Sequence, residues 1–121
     1  MSPDDTLPAS VDDPVLSRAL SLRHDDGTIT GVVVRFDRPR PLEDGGDFGC
    51  TWQVIGFGDD RTRLARGVDT LQAMLLAIQQ AGIYLSCSTA AREGRLFWLD
   101  AGNPPTLPVQ FHHGPDWRDD L

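Results

Sequence analysis

Along residues 15–24 apolar Leu16, Leu20 and Leu22 at even positions face polar Ser17, Ser21 and Arg23 at odd ones, the imperfect alternation of a half-buried strand, with a short helix as the alternative. Asp25-Asp26-Gly27 marks a turn, and beyond it Val32, Val34 and Phe36 alternate with Val33, Arg35 and Asp37 in a clearer strand, so the two pair as a hairpin. Pro39-Arg40-Pro41 ends that strand and Leu42 to Asp47 forms an acidic, glycine-rich connection. A third strand follows from Phe48 to Gly58, with Cys50, Trp52 and Val54 on one face and Thr51, Gln53, Ile55 and Phe57 on the other, both partly buried. Gly58-Asp59-Asp60 turns the chain into a fourth strand from Arg61 to Val68, which makes the first four strands an antiparallel meander.

The period then changes. From Thr70 to about Ser86 the chain reads as a helix, with Asp69 as N-cap and Gln72 placed to reach back as in a capping box. At about 100° per residue Leu71, Met74, Leu75, Ile78, Gly82 and Leu85 share one broad stripe, with Thr70 and Ala81 at its edge, and this stripe is expected to lie on the sheet. On that expectation Leu75→Ala is a core truncation costing about 2–5 kcal/mol, and Gly82 lets the helix approach a strand. Between Thr70 and Ala91 there is no charged residue, so the remaining faces lack the charge of a solvated helix. Gln72, Ala73, Leu76, Gln80, Ile83 and Tyr84 are therefore the candidate partner surface, covered by the chain itself, by a protein partner or by a second copy in a homodimer. After a small, polar segment, Arg95 to Asp100 reads as a fifth strand able to join a sheet edge. The predicted fold class is α+β: a four- or five-stranded, mostly antiparallel sheet with one long helix across one face.

The ends read differently. Residues 1–13 are acidic and proline-containing and are expected to be a disordered arm; residues 14–101 form the domain; residues 102–121 form an extended, proline-rich tail wrapped on it through Leu107, Phe111 and Trp117. The chain has 121 residues, enough for one domain that needs neither disulfide nor metal. Its acidic start, Met1-Ser2-Pro3-Asp4-Asp5, has no basic segment followed by an apolar run, which predicts a cytoplasmic protein. The helix, interrupted by three glutamines and a glycine, is too short to cross a membrane.

Charge narrows the partners. The formal net charge is −7, with no lysine, and the aspartates at positions 4, 5, 12, 13, 116, 119 and 120 hold most of it, leaving the middle of the chain nearly neutral. Nucleic acid and anionic lipid are disfavoured, and a basic protein is the better match. The all-arginine cation set fits a GC-rich bacterial composition. No phosphate loop, nucleophile elbow or metalloprotease motif occurs, so no catalytic residue and no cofactor is assigned. Metal is not expected either: Glu43, Asp44 and Asp47 lack the oxygen spacing of a calcium loop, and His112-His113 with His24, Cys50 and Cys87 lack the paired short spacing of a zinc site. Both cysteines read as buried thiols. Arg61, Arg63 and Arg66 with Arg35, Arg38 and Arg40 pair with aspartates more readily than they form an anion patch. A pocket built from Arg35, Trp52, Arg66 and Trp98 is the alternative candidate site, for a small-molecule-binding domain or an enzyme.

Cys50-Thr51-Trp52-Gln53-Val54 followed by Gly67-Val68-Asp69-Thr70-Leu71-Gln72-Ala73-Met74 resembles a bacterial family of unknown function, whose members pair a cysteine-and-aromatic strand with a Gly-Val-Asp-x-x-Gln-Ala-Leu helix start. The resemblance covers roughly residues 45–90. It implies a small acidic domain of the kind encoded near polymorphic toxin systems, some of which are immunity proteins, and it implies no activity. Together these features predict a non-catalytic interaction module, and the resemblance implies an immunity-like choice of a basic partner.

Overall fold

The structure is a computed structural model and describes residues 10–107 apart from residue 44. Most of the arm, the tail segment containing Phe111, His112, His113 and Trp117, and Asp44 lie outside the described residues. Strands β1 (Pro14–Arg23), β2 (Ile29–Asp37), β4 (Phe48–Ile55) and β5 (Thr62–Gly67) form the expected antiparallel meander. The two-residue strand β3 (Arg40–Pro41) continues β2 along β4, after an interruption at Arg38-Pro39. Strand β6 (Leu96–Phe97) returns to pair with β1 at Ser21 and Leu22, which is the predicted fifth strand at a sheet edge. Helix α1 (Thr70–Ser86) packs across β4 and β5, and a single turn, α2 (Thr89–Arg92), connects it to β6. No helix among the described residues is long and apolar enough to cross a membrane.

The register explains the core. Leu20 pairs with Val32 and Arg18 with Val34, while Val34 pairs with Val54 and Phe36 with Trp52, so Leu20, Val32, Val34, Phe36, Trp52 and Val54 all project to the helix side. All six are buried. Trp52 alone, at roughly 150–250 Å² of ring and stem, contributes on the order of 4–6 kcal/mol of area burial as an upper bound. Such bulk on the strands leaves little room above them, and the helix meets it with small side chains.

Here the structure corrects the sequence reading. The buried residues of α1 are Ala73, Ala77, Ala81 and Leu85. Steps of four advance about 40° around a helix, so this row winds slowly and follows the twist of the strands beneath it. The stripe chosen by size, Leu71 through Gly82, is turned away by about a quarter of a revolution: Leu71 is 66% and Leu75 39% exposed. The close approach is made by Gly67 rather than Gly82. A β-carbon on Gly67 would fall on the Ala73 backbone and within 2.8 Å of the Gln72 carbonyl carbon, whereas the open side of Gly82 is filled by Leu107 at 3.8 Å. Interior density is uniform, so wherever Trp52 and Phe36 take the volume the facing helix must give it up.

The helix start follows expectation with one shift. Asp69 accepts from the Gln72 N–H at 2.7 Å, and Gln72 Oε1 accepts from the Val68 N–H, one residue before the cap, at 2.7 Å. Residues 10–13 differ from the expected disordered arm. Val11 is buried on the far side of the sheet, its N–H donating to Gln53 Oε1 at 3.1 Å, and Asp13 donates its N–H to Asp37 Oδ1. Gln53 is also held from its other end, its Nε2 donating to the Asp60 carbonyl at 2.6 Å. In the first described stretch of the tail Pro105 and Leu107 are buried.

Candidate functional site

On the β5 side of α1, Trp52 rises from β4 and donates its Nε1–H to Gln80 Oε1 at 3.1 Å. Tyr84 meets Trp52 edge-on with ring centroids 6.0 Å apart, and Phe57, from the β4–β5 turn, meets Tyr84 at the same 6.0 Å distance. Arg63 pairs directly opposite Trp52 and lays its guanidinium carbon 4.3 Å from the Tyr84 ring centre and 5.3 Å from that of Trp52. Of the two terminal guanidinium nitrogens, Nη2 contacts Asp59 at 3.4 Å and Nη1 is buried without a hydrogen-bond partner. The ring faces supply what a hydrogen bond would: a partly desolvated cation over aromatic faces gains about 1–2 kcal/mol. This cluster satisfies itself and fastens helix to sheet.

Most of the residues singled out from sequence are used within the fold. Ala73 is fully buried against the sheet and belongs to no surface. Gln72 caps the helix, Gln80 holds Trp52, Tyr84 joins the aromatic cluster and Leu76 is half-buried; Ile83 is exposed. The four pocket candidates are not brought together. Trp52 points to the helix side, Arg35 and Arg66 lie on the opposite face of the sheet by strand alternation, and Trp98 follows β6 at the far edge. There Arg18 stacks 3.9 Å over the Trp98 ring and donates to the Thr106 carbonyl at 2.9 Å. Arg18 is not among the residues singled out from sequence; Arg63, expected to pair with an aspartate, contacts Asp59 and in addition lies over the aromatic rings. Arg18 stands between Leu16 and Leu20 in the even row of β1, a core-side position legible from the alternation. The remaining arginines mostly pair with carboxylates as expected: Arg38 with Asp13, Arg40 with Asp12, Arg61 with Asp59.

Reactive groups are few. Burial, with a smaller effect from Asp37, pushes the Cys50 thiol up to about 12, so it is inert; Cys87 is exposed, against the expectation of two buried thiols. Asp37 is buried, and desolvation raises its carboxyl above the ordinary range although the Arg38 and Asp13 N–H groups both donate to it. Among the described residues no group of His, Cys, Asp and Glu could hold a metal ion. His24 bonds Thr30 at 2.8 Å. A shallow depression of about 130 Å³ between α2 and the 102–104 turn is lined by Ala91, Leu96, Phe97 and Pro104, with no ionisable group. Beside it Leu99, 69% exposed, holds a left-handed backbone at φ +67°, a conformation costing a leucine about 1–2 kcal/mol.

What the fold leaves open is apolar. Val68 and Leu71 are about two-thirds exposed at the start of α1, next to the partly exposed Leu75. The carboxylate of Asp69 stands between the first two in sequence. The acidic β3–β4 connection, with Glu43 and Asp47, enters β4 at Phe48, which pairs with Gly67, so the chain leading to this end of the sheet is acidic in sequence. The family model of a domain of unknown function, DUF6968, matches residues 16–109. No curated protein and no solved structure matches the chain.

Proposed function

For a chain that belongs to the DUF6968 family of unknown function, we propose a cytoplasmic, non-catalytic protein-binding module whose contact surface is the start of α1. The observation that carries this reading is the pair Val68 and Leu71, 67% and 66% exposed, on either side of the Asp69 cap at the start of a helix that itself carries no charged residue. Apolar area gains roughly 25 cal/mol per Å² when covered, and the Asp69 carboxylate between the two in sequence selects a partner with basic residues around an apolar centre. The net charge of −7 favours the same partner at long range. A role of the immunity type, in which an acidic domain caps a basic toxin, has this chemistry.

The test is affinity capture of the full chain co-expressed with its neighbouring genes, beside the Leu71→Arg variant. The wild type retains a basic protein in a salt-sensitive manner, and the variant, folded by circular dichroism, loses it. Equal retention by both removes the helix start from the interface. A small molecule seen by native mass spectrometry, with no protein partner, replaces this reading with ligand binding.

A further inference from the structure

Beyond the C-terminal end of α1, the segment 91–104 presents a knob and a hollow on one patch. Leu99 is the knob. It is 69% exposed, and across it the Asp100 N–H donates to the Trp98 carbonyl at 2.9 Å, which makes Leu99 the apex of a γ-turn with φ +67°, a rare and strained form. The turn is braced: Trp98 donates its N–H to the Asn103 carbonyl at 3.2 Å, Asn103 donates to the Asp100 carbonyl at 3.1 Å, and Arg18 stacks over the Trp98 ring. Glycine takes this backbone without strain, so a leucine is held out to solvent here at a cost that the fold does not recover. The hollow is the depression of about 130 Å³ lined by Ala91, Leu96, Phe97 and Pro104. Small-molecule sites run to roughly 300–1,000 Å³, whereas a cavity of roughly 150 Å³ with such a lining holds one benzene-sized group. The hollow has the size of a single side chain.

We propose that this patch is a self-complementary contact, in which Leu99 enters the hollow of a second copy of the chain and receives that copy's Leu99 in return across a two-fold axis. Knob and hollow both come from residues 91–104, and a patch that carries both halves of its contact closes as a dimer. Charge agrees with this pairing. Asp100 follows the knob, and Arg92 follows Ala91 at the hollow; both are exposed. Arg92 donates to the Cys87 carbonyl, and neither residue meets an opposite charge among the described residues, while the intervening Glu93 and Arg95 answer each other at 2.8 Å. In the dimer the Asp100 of each copy stands against the Arg92 of the other, which fixes the orientation of the pair. The patch is small, so the dimer belongs with weak, transient contacts. It lies at the opposite end of the 17-residue α1, about 25 Å long, from Val68 and Leu71, leaves them free, and stands independently of the functional reading above.

Sedimentation equilibrium of the full chain between about 10 μM and about 1 mM, the range of weak association, tests this. The wild type passes from monomer to dimer and stops there. Leu99→Gly removes the knob and the backbone strain together, so it stays folded by circular dichroism, and it raises the dimer dissociation constant about 100-fold or more, since two leucines per dimer lose their cover. Asp100→Arg and Arg92→Asp each weaken the dimer about tenfold, and the chain carrying both changes regains it, because the two residues meet only across the axis. A chain that stays monomeric throughout overturns the proposal. A dimer indifferent to Leu99→Gly overturns it as well, and its loss in Leu71→Arg then assigns the contact to the helix start. A double charge reversal no tighter than either single one overturns the two-fold pairing of Asp100 with Arg92.

Discussion

The two flanks of α1 are equally free of charge and have opposite fates. One carries Ala73, Ala77, Ala81 and Leu85, with Gln80 and Tyr84 beside them, and is consumed by β4 and β5; the other carries Leu71 and Leu75 and stays in part uncovered. Hydrophobicity alone ranks them the wrong way round, since leucine exceeds alanine. What decides is the partner: Trp52, Phe36 and Val54 already fill the space above the sheet, and only small residues allow the backbones to approach as Gly67 and Ala73 do. The size of a helix residue therefore has to be read against the strands it meets.

The largest effect on this contrast is expected from Leu85→Ala. Leu85 is the one large side chain in the buried row and is fully enclosed, so its truncation costs about 2–5 kcal/mol in urea unfolding. A cost below that of an exposed leucine means that α1 is rotated from the orientation described. Next comes Gly67→Ala, where one added methyl meets backbone at Ala73 and has no side chain to push aside. Overpacking of this kind costs about 1–3 kcal/mol, whereas the same change at Gly82, facing only the edge of Leu107 at 3.8 Å, is tolerated and gains helix propensity. Measured side by side, the two glycine variants locate the close approach directly.

Gln80→Ala is a subtler probe. It removes the acceptor of the Trp52 Nε1–H on the consumed flank and costs about 1 kcal/mol, with a change in tryptophan emission. Gln79→Ala, lacking that bond, serves as its control.

These particular residues also show what the sequence discloses and what it withholds. The strands were legible because alternation is a local property: Val32, Val34 and Phe36 declare their face without reference to any neighbour. The helix and its Asp69 cap were legible for the same reason. The rotation of the helix was not, because it depends on bulk supplied by β4, outside the helix itself; the signal present was the row Ala73, Ala77, Ala81 following Gly67. The pocket of Arg35, Trp52, Arg66 and Trp98 failed on parity and distance. Arg35 and Trp52 occupy opposite phases of paired strands, a relation that depends on the register between β2 and β4.

The smallest expected effect is at the other pole of the comparison. Leu71→Ala removes a side chain that is 66% exposed in the first turn of α1, where it has little burial to lose and where alanine is at least as good a helix former. Its urea midpoint should stay within about 0.5 kcal/mol of the wild type, the range of surface substitutions. Leu75→Ala, at 39% exposure, falls between this and Leu85→Ala, below the cost of a full core truncation. Sedimentation at micromolar concentration completes the measurement, since a two-fold contact between copies is the commonest way for such a flank to be covered. If Leu71→Ala costs as much as Leu85→Ala and the cost grows with protein concentration, a second chain covers this flank. If the cost is large and independent of concentration, another part of the same chain covers the helix start, and the partner surface must be sought elsewhere.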